Sequence, residues 1–99
     1  MIMTHYVVVY DITQDKLRTK VSDTLKDYGM DRIQYSAFYG ELRIHGLNSL
    51  KTDLQQIINK GDETDSILIF PLCESCFRNR HELGCEKELT ESEEKVVIF

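Results

Sequence analysis

The chain has 99 residues, 41% apolar and 29% charged, with a formal net charge of −5. One domain spanning residues 1–99 is expected, and one Pro and five Gly leave no long linker, so multidomain and repeat architectures are excluded. The acidity excludes a protein that simply coats DNA, but it is uneven: residues 1–60 net +1, whereas residues 61–99 net −6.

The first apolar run is Tyr6-Val7-Val8-Val9-Tyr10, closed by Asp11. It is too short for a signal-peptide core or a membrane span, and no Lys or Arg precedes it, so the expected location is cytoplasmic with no membrane association. Residues 5–11 predict a strand that is apolar on both faces. A single layer of helices covers only one face of a sheet, so a second protomer is expected on the other.

Thr13 is placed to cap a helix over residues 14–28, with Leu17, Val21, Leu25 and Tyr28 at helical spacing and Gly29 as its stop. Residues 32–44 alternate, with Ile33, Tyr35, Ala37 and Tyr39 on one side and Gln34, Ser36, Phe38 and Gly40 on the other. They predict either one long bent strand or two strands joined by a tight turn near Ser36. Asn48 or Ser49 starts a second helix whose buried face is Leu47, Leu50, Leu54, Ile57 and Ile58, and Gly61 ends it. A polar loop follows, then a strand over Ser66–Leu72. Residues 73–93 read as an irregular acidic segment and 95–99 as a last apolar strand, which joins a sheet edge of its own chain or of a partner. The order of elements predicts an α+β, ferredoxin-like βαββαβ sandwich with an extra C-terminal strand.

Asp11 is the first candidate for chemistry. It stands at the C-terminal end of an apolar strand, where a carboxylate is costly unless something pairs with it. A divalent cation meets that need, and a nearby two-fold axis would bring two copies together around it. The alternative is that Asp11 merely ends the strand and helps cap the helix.

A set of ordered segments then becomes recognisable. Val8-Val9-Tyr10-Asp11-Ile12 leads into Leu17-Arg18-Thr19-Lys20-Val21, then Leu25, Tyr28-Gly29, and Arg32-Ile33-Gln34-Tyr35-Ser36-Ala37-Phe38-Tyr39-Gly40-Glu41-Leu42. Together with Asp65-Ser66-Ile67-Leu68-Ile69-Phe70-Pro71-Leu72, they resemble the CRISPR-associated protein 2 family. The resemblance implies a homodimer packed through its sheets, with Mg²⁺ or Mn²⁺ held near the dimer axis by Asp11 of each protomer. It also implies a partnership with the CRISPR-associated protein 1 integrase. It further implies either a metal-dependent endonuclease acting on single-stranded RNA or double-stranded DNA, or a non-catalytic adaptor that bridges DNA in the spacer-integration complex.

Tyr10, Arg18, Lys20, Arg32, Ser36 and Phe38 match family positions flanking Asp11 and are candidates for nucleic-acid contact. Arg18 and Arg32 can grip phosphates bidentately; otherwise Arg18 and Lys20 form a solvated helix face balanced by Asp23 and Asp27. Phe38 stacks on a base, plugs the dimer interface or fills the core.

Cys73, Cys76, His81 and Cys85 form a second cluster, Cys-x2-Cys-x4-His-x3-Cys. Such ligands suit tetrahedral zinc, and a small metal or ligand sensor is the third functional class they raise. Only Gly84 lies inside the span, against the several glycines of a zinc knuckle, and a cytosolic location disfavours a disulfide. His5 and His45 stand alone and read as structural or solvated.

Overall fold

A computed structural model describes residues 3–84. Its elements are β1 (Thr4–Asp11), α1 (Asp15–Asp27), β2 (Asp31–Gln34), β3 (Ala37–Leu42), α2 (Ile44–Ile58), β4 (Ser66–Leu72) and α3 (Glu74–Arg78). The four strands form one antiparallel sheet in the order β2-β3-β1-β4, the arrangement of a ferredoxin-like βαββαβ sandwich. The residues read as the extra strand, 95–99, lie outside the described residues, as does 85–93 of the acidic segment.

The period of two along β1 sorts its side chains. Tyr6, Val8 and Tyr10 face the helices and join Ile12, Leu17, Val21, Leu25, Met30, Phe38, Leu42, Leu50 and Leu54 in one buried core. His5, Val7, Val9 and Asp11 therefore face the other way. Register places Phe70 opposite Val7 and Leu68 opposite Val9 on that second face. Leu68 is 52% exposed and Phe70 48%. The strand that reads as apolar on both faces thus has one face under α1 and α2, and on the other, among the described residues, the stretch of Leu68 and Phe70 is exposed.

Several boundaries differ from the sequence reading. Gln14, not Thr13, occupies the N-cap of α1, without a side-chain cap. The Thr13 hydroxyl does not accept a helix N–H as a cap would; it donates to the Asp65 carboxylate in a charge-assisted bond. Helix α2 begins at Ile44, ahead of Asn48 and Ser49, because β3 runs into it through Arg43, whose carbonyl already accepts the Leu47 N–H. Residues 32–44 resolve into two strands with the turn at Tyr35-Ser36, and the register shifts between Arg32 and Gln34. Part of the segment read as irregular is helical: Cys73 caps α3, its sulfur accepting the Cys76 N–H.

Two glycines are required by geometry. Gly29 has φ +86 and closes α1, with the Met30 N–H reaching back to the Leu25 carbonyl. At Gly40 a Cβ would lie 2.6 Å from Met30 Cγ and 3.1 Å from its Cα. That absence lets the start of β2 press against β3. Among the described residues no helix is long and apolar enough to cross a membrane.

Candidate functional site

Asp11 is the last residue of β1, opposite Ser66 of β4, with an exposed side chain that makes no hydrogen bond or ion pair among the described residues. Buried Ile12 anchors the chain immediately after it.

The connection from Asp11 into α1 is held from two sides. The Asp65 carboxylate accepts the Thr13 N–H at 3.0 Å and the Thr13 hydroxyl at 3.2 Å, and its other oxygen accepts the Asp62 N–H at 2.9 Å. The Thr13 N–H above all, with Asp62 and the Thr13 hydroxyl, holds the Asp65 carboxyl below the usual carboxylate range, against a smaller opposing effect of burial. Arg18 binds the carbonyl side, donating to the Ile12 carbonyl at 3.1 Å and the Thr13 carbonyl at 3.2 Å, while its guanidinium pairs with Asp15. Arg18 is therefore committed to the loop. Asp65 was read from sequence as the end of a polar loop and the head of the fourth-strand segment, with no role in holding Thr13. The available signal was its place directly before Ser66, the register partner of Asp11.

The β2–β3 turn closes the other flank. The Tyr10 N–H donates to the Ser36 carbonyl at 3.0 Å. Arg32 donates to the Tyr35 carbonyl and, at 2.9 Å, to the Ser22 hydroxyl of α1, with its guanidinium 5.1 Å from the Phe38 ring centroid. Tyr10 and Phe38 are both buried, their rings 6.3 Å apart and stacked, so they form the floor beneath the site instead of presenting rings at the surface. Lys20 is exposed on α1, where with Asp23, Asp27, Asp53 and Lys60 it lines a shallow cleft of 360 Å³ between α1 and α2. The structure thus gathers Asp11, Arg18, Ser36 and Arg32 around the end of β1 and places Lys20 on the helix layer.

At the opposite end of β1, α3 lies over the second sheet face. Phe77 stacks on His5 at 4.4 Å and on Tyr39 at 5.0 Å. Buried His5 shares a 2.6 Å hydrogen bond with the Tyr39 hydroxyl, and its other ring nitrogen reaches Glu74 at 3.3 Å. The hydrogen bond from His5, then that from Arg78, holds the Glu74 carboxyl below its ordinary range. Cys73, Cys76 and His81 are exposed, and Cys85 lies outside the described residues. Among the described residues no group of three or more His, Cys, Asp or Glu side chains is placed to hold a metal ion.

The family model for CRISPR associated protein Cas2 matches residues 3–80. A protein of Korarchaeum cryptofilum named CRISPR-associated endoribonuclease Cas2 is 38% identical over 80 residues, covering 79% of this chain and 82% of that protein. A solved structure described as "Crystal structure of cas2" superposes with a TM-score of 0.71 at 29% identity, covering 92% of this chain and 98% of that one. A chain of a "Partial Cas6-RT-Cas1--Cas2 complex" superposes with a TM-score of 0.69 at 26% identity, covering 81% of this chain and 90% of that one.

Proposed function

This chain belongs to the CRISPR associated protein Cas2 family, and from that membership we propose that it is a metal-dependent endonuclease of CRISPR adaptation with Asp11 as its catalytic metal ligand. The observation that carries this reading is the position of Asp11, an exposed carboxylate without a partner among the described residues, on the same sheet face as Val7 and Val9. A second copy of the chain is the natural cover for that face, since Leu68 and Phe70 leave it apolar and open. In such a homodimer the two Asp11 carboxylates would approach one another near the axis. Mg²⁺ or Mn²⁺ would be held by that pair, with water and phosphate oxygens completing its shell. The metal would supply charge stabilisation at the phosphate and a more acidic bound water. The chain's own contribution is position: Asp65 and Arg18 hold the loop behind Asp11, and Ser36 and Arg32 hold the turn beside it. Arg32 and Lys20 supply positive charge for a nucleic-acid backbone.

The test is cleavage of labelled single-stranded RNA and double-stranded DNA by wild type and Asp11→Ala, with and without Mg²⁺ or Mn²⁺, with oligomeric state measured on the same samples. Cleavage that needs both metal and Asp11, in a variant that remains dimeric, is expected. Equal cleavage by both proteins would sink the reading.

The likeness to a chain of a Cas1–Cas2 assembly favours a second reading, a DNA-bridging adaptor that binds the Cas1 integrase. Among the described residues no group of three or more potential metal ligands is assembled, a sparse set for phosphoryl chemistry, which points the same way. On this reading Asp11→Ala leaves integrase binding and spacer integration intact.

A further inference from the structure

The turn that begins α3 carries two cysteines three residues apart, joined by a backbone N–H to sulfur hydrogen bond. Cys73 precedes the helix and Cys76 lies one helical turn on, so both side chains project from the same side. The Cys76 N–H donates to Cys73 Sγ at 3.3 Å. Both cysteines are free and exposed. We propose that Cys73 and Cys76 are a redox-active dithiol that closes to an intramolecular disulfide on meeting a small-molecule disulfide and reopens with a dithiol reductant.

Closure proceeds in two exchanges. The Cys73 thiolate attacks one sulfur of the oxidant RSSR, forming a mixed disulfide and releasing RS⁻. Cys76 then gives its proton to water and attacks Cys73 Sγ, displacing a second RS⁻. The protein loses two electrons and two protons, and RSSR becomes two RSH. The order follows from the contact itself. The Cys76 N–H, bonded to Cys73 Sγ at 3.3 Å, favours the Cys73 thiolate. Cys73 is thus the attacking group and Cys76 the resolving one. In a reducing cytosol the open dithiol is the resting form and the disulfide is transient. The pair sits at the root of α3, because the next residue, Phe77, is the one stacked on His5 and Tyr39. Nothing in this inference depends on the nuclease reading.

The experiment uses the full chain, as wild type and with Cys85→Ser. Reduced protein receives one equivalent of 5,5′-dithiobis(2-nitrobenzoate), and released thiolate and protein mass are followed. Expected are two thiolates released per reagent consumed, a protein lighter by two hydrogens with no adduct, and the same outcome without Cys85. In Cys76→Ser the reaction should stop at the mixed disulfide on Cys73. In Cys73→Ser the first release should slow several-fold. Stable adducts on both cysteines, closure that requires Cys85, or a stoichiometric zinc ion occupying the thiols of the purified protein would each overturn the proposal. All of the altered side chains that the structure describes are exposed, and circular dichroism of each variant confirms its fold.

Discussion

The Asp65 carboxylate accepts both the backbone N–H and the hydroxyl of Thr13, 52 residues earlier in the chain. The contact ties the start of β4 to the loop that follows Asp11. Gly61 is part of the same arrangement, since a Cβ there would collide with Asp65 Oδ2. Asp65→Asn keeps the shape but weakens charge-assisted bonds and places an amide against N–H donors. The variant should melt at a lower temperature at pH 7 and cleave or assemble less well than its loss of stability alone explains. Because the folded-state carboxyl is depressed, its contribution is fully present above the unfolded value near 4 and lost as pH falls through the folded one. Urea denaturation should therefore show the gap between wild type and variant closing in strong acid. A gap that stays constant with pH would show that the charge of Asp65 contributes nothing.

Asp11 makes the opposite prediction. Nothing among the described residues binds its carboxylate, so Asp11→Ala should change the stability of the fold by no more than about 0.5 kcal/mol. Metal-dependent cleavage should nonetheless fall by at least about 10-fold, as losing a metal ligand costs no less than losing the group that orients one. Thermal melts and single-turnover cleavage on the same preparation separate the two effects. A large drop in melting temperature would mean that Asp11 supports the fold itself.

The architecture was legible because its signals are local and redundant. The two-faced apolar run Tyr6–Tyr10, the heptad-like Leu17, Val21 and Leu25, and the stop at Gly29 each predict one element, and their order implies the sheet. The place of Asp11 was legible for the same reason, as a carboxylate ending an apolar strand. Asp65 was not, because its bonds to Thr13 span 52 residues and a polar loop has no period from which to read them. Tyr10 and Phe38 show another limit. Aromatic residues beside a catalytic position suit a stacking platform and a packed floor equally well, and only the burial of both rings separates these roles. The short α3 escaped notice because five residues, Glu74 to Arg78, carry too little periodicity; a sulfur cap and one buried ring hold them in place.

Phe77 is that ring. It stacks on His5 and Tyr39, and the Arg80 guanidinium lies 4.0 Å from its centroid. Phe77→Ala should destabilise the fold by about 3 kcal/mol, the lower end of the range for a buried ring, because α3 lies at the margin of the sheet. Phe77→Leu should recover part of that loss through restored volume but none of the stacking. If alanine costs under about 0.5 kcal/mol, α3 is not docked in solution.

Gly40 tests the close approach of β2 to β3. A Cβ at this position meets Met30 at both its side chain and its backbone, so the neighbour cannot simply rotate away. Gly40→Ala should cost about 1–3 kcal/mol by overpacking. Met30→Ala alone removes core volume and is also destabilising, by about 2–5 kcal/mol. Combined with Gly40→Ala it should be less destabilising than the sum, since each change relieves the contact the other strains. Strict additivity in a double-mutant cycle would place the cost elsewhere.

The uncovered sheet face carries the largest consequence for assembly. Val7 and Val9 on β1, with Phe70 and Leu68 directly opposite on β4, form a continuous apolar strip that ends at Asp11. Phe70→Asp places a charge in the middle of that strip. If a second copy covers the face, burying the charge costs more than the interface can recover, and the variant should elute and scatter light as a monomer at micromolar concentration. Its fold should persist, because Phe70 points away from the core that Ile67 and Ile69 join. The monomer should also lose metal-dependent cleavage although Asp11 is intact, since among the described residues no group of three or more potential ligands surrounds it. A Phe70→Asp variant that remains dimeric would show that the two copies meet through another surface, and the pairing of Asp11 across a shared axis would fall with it.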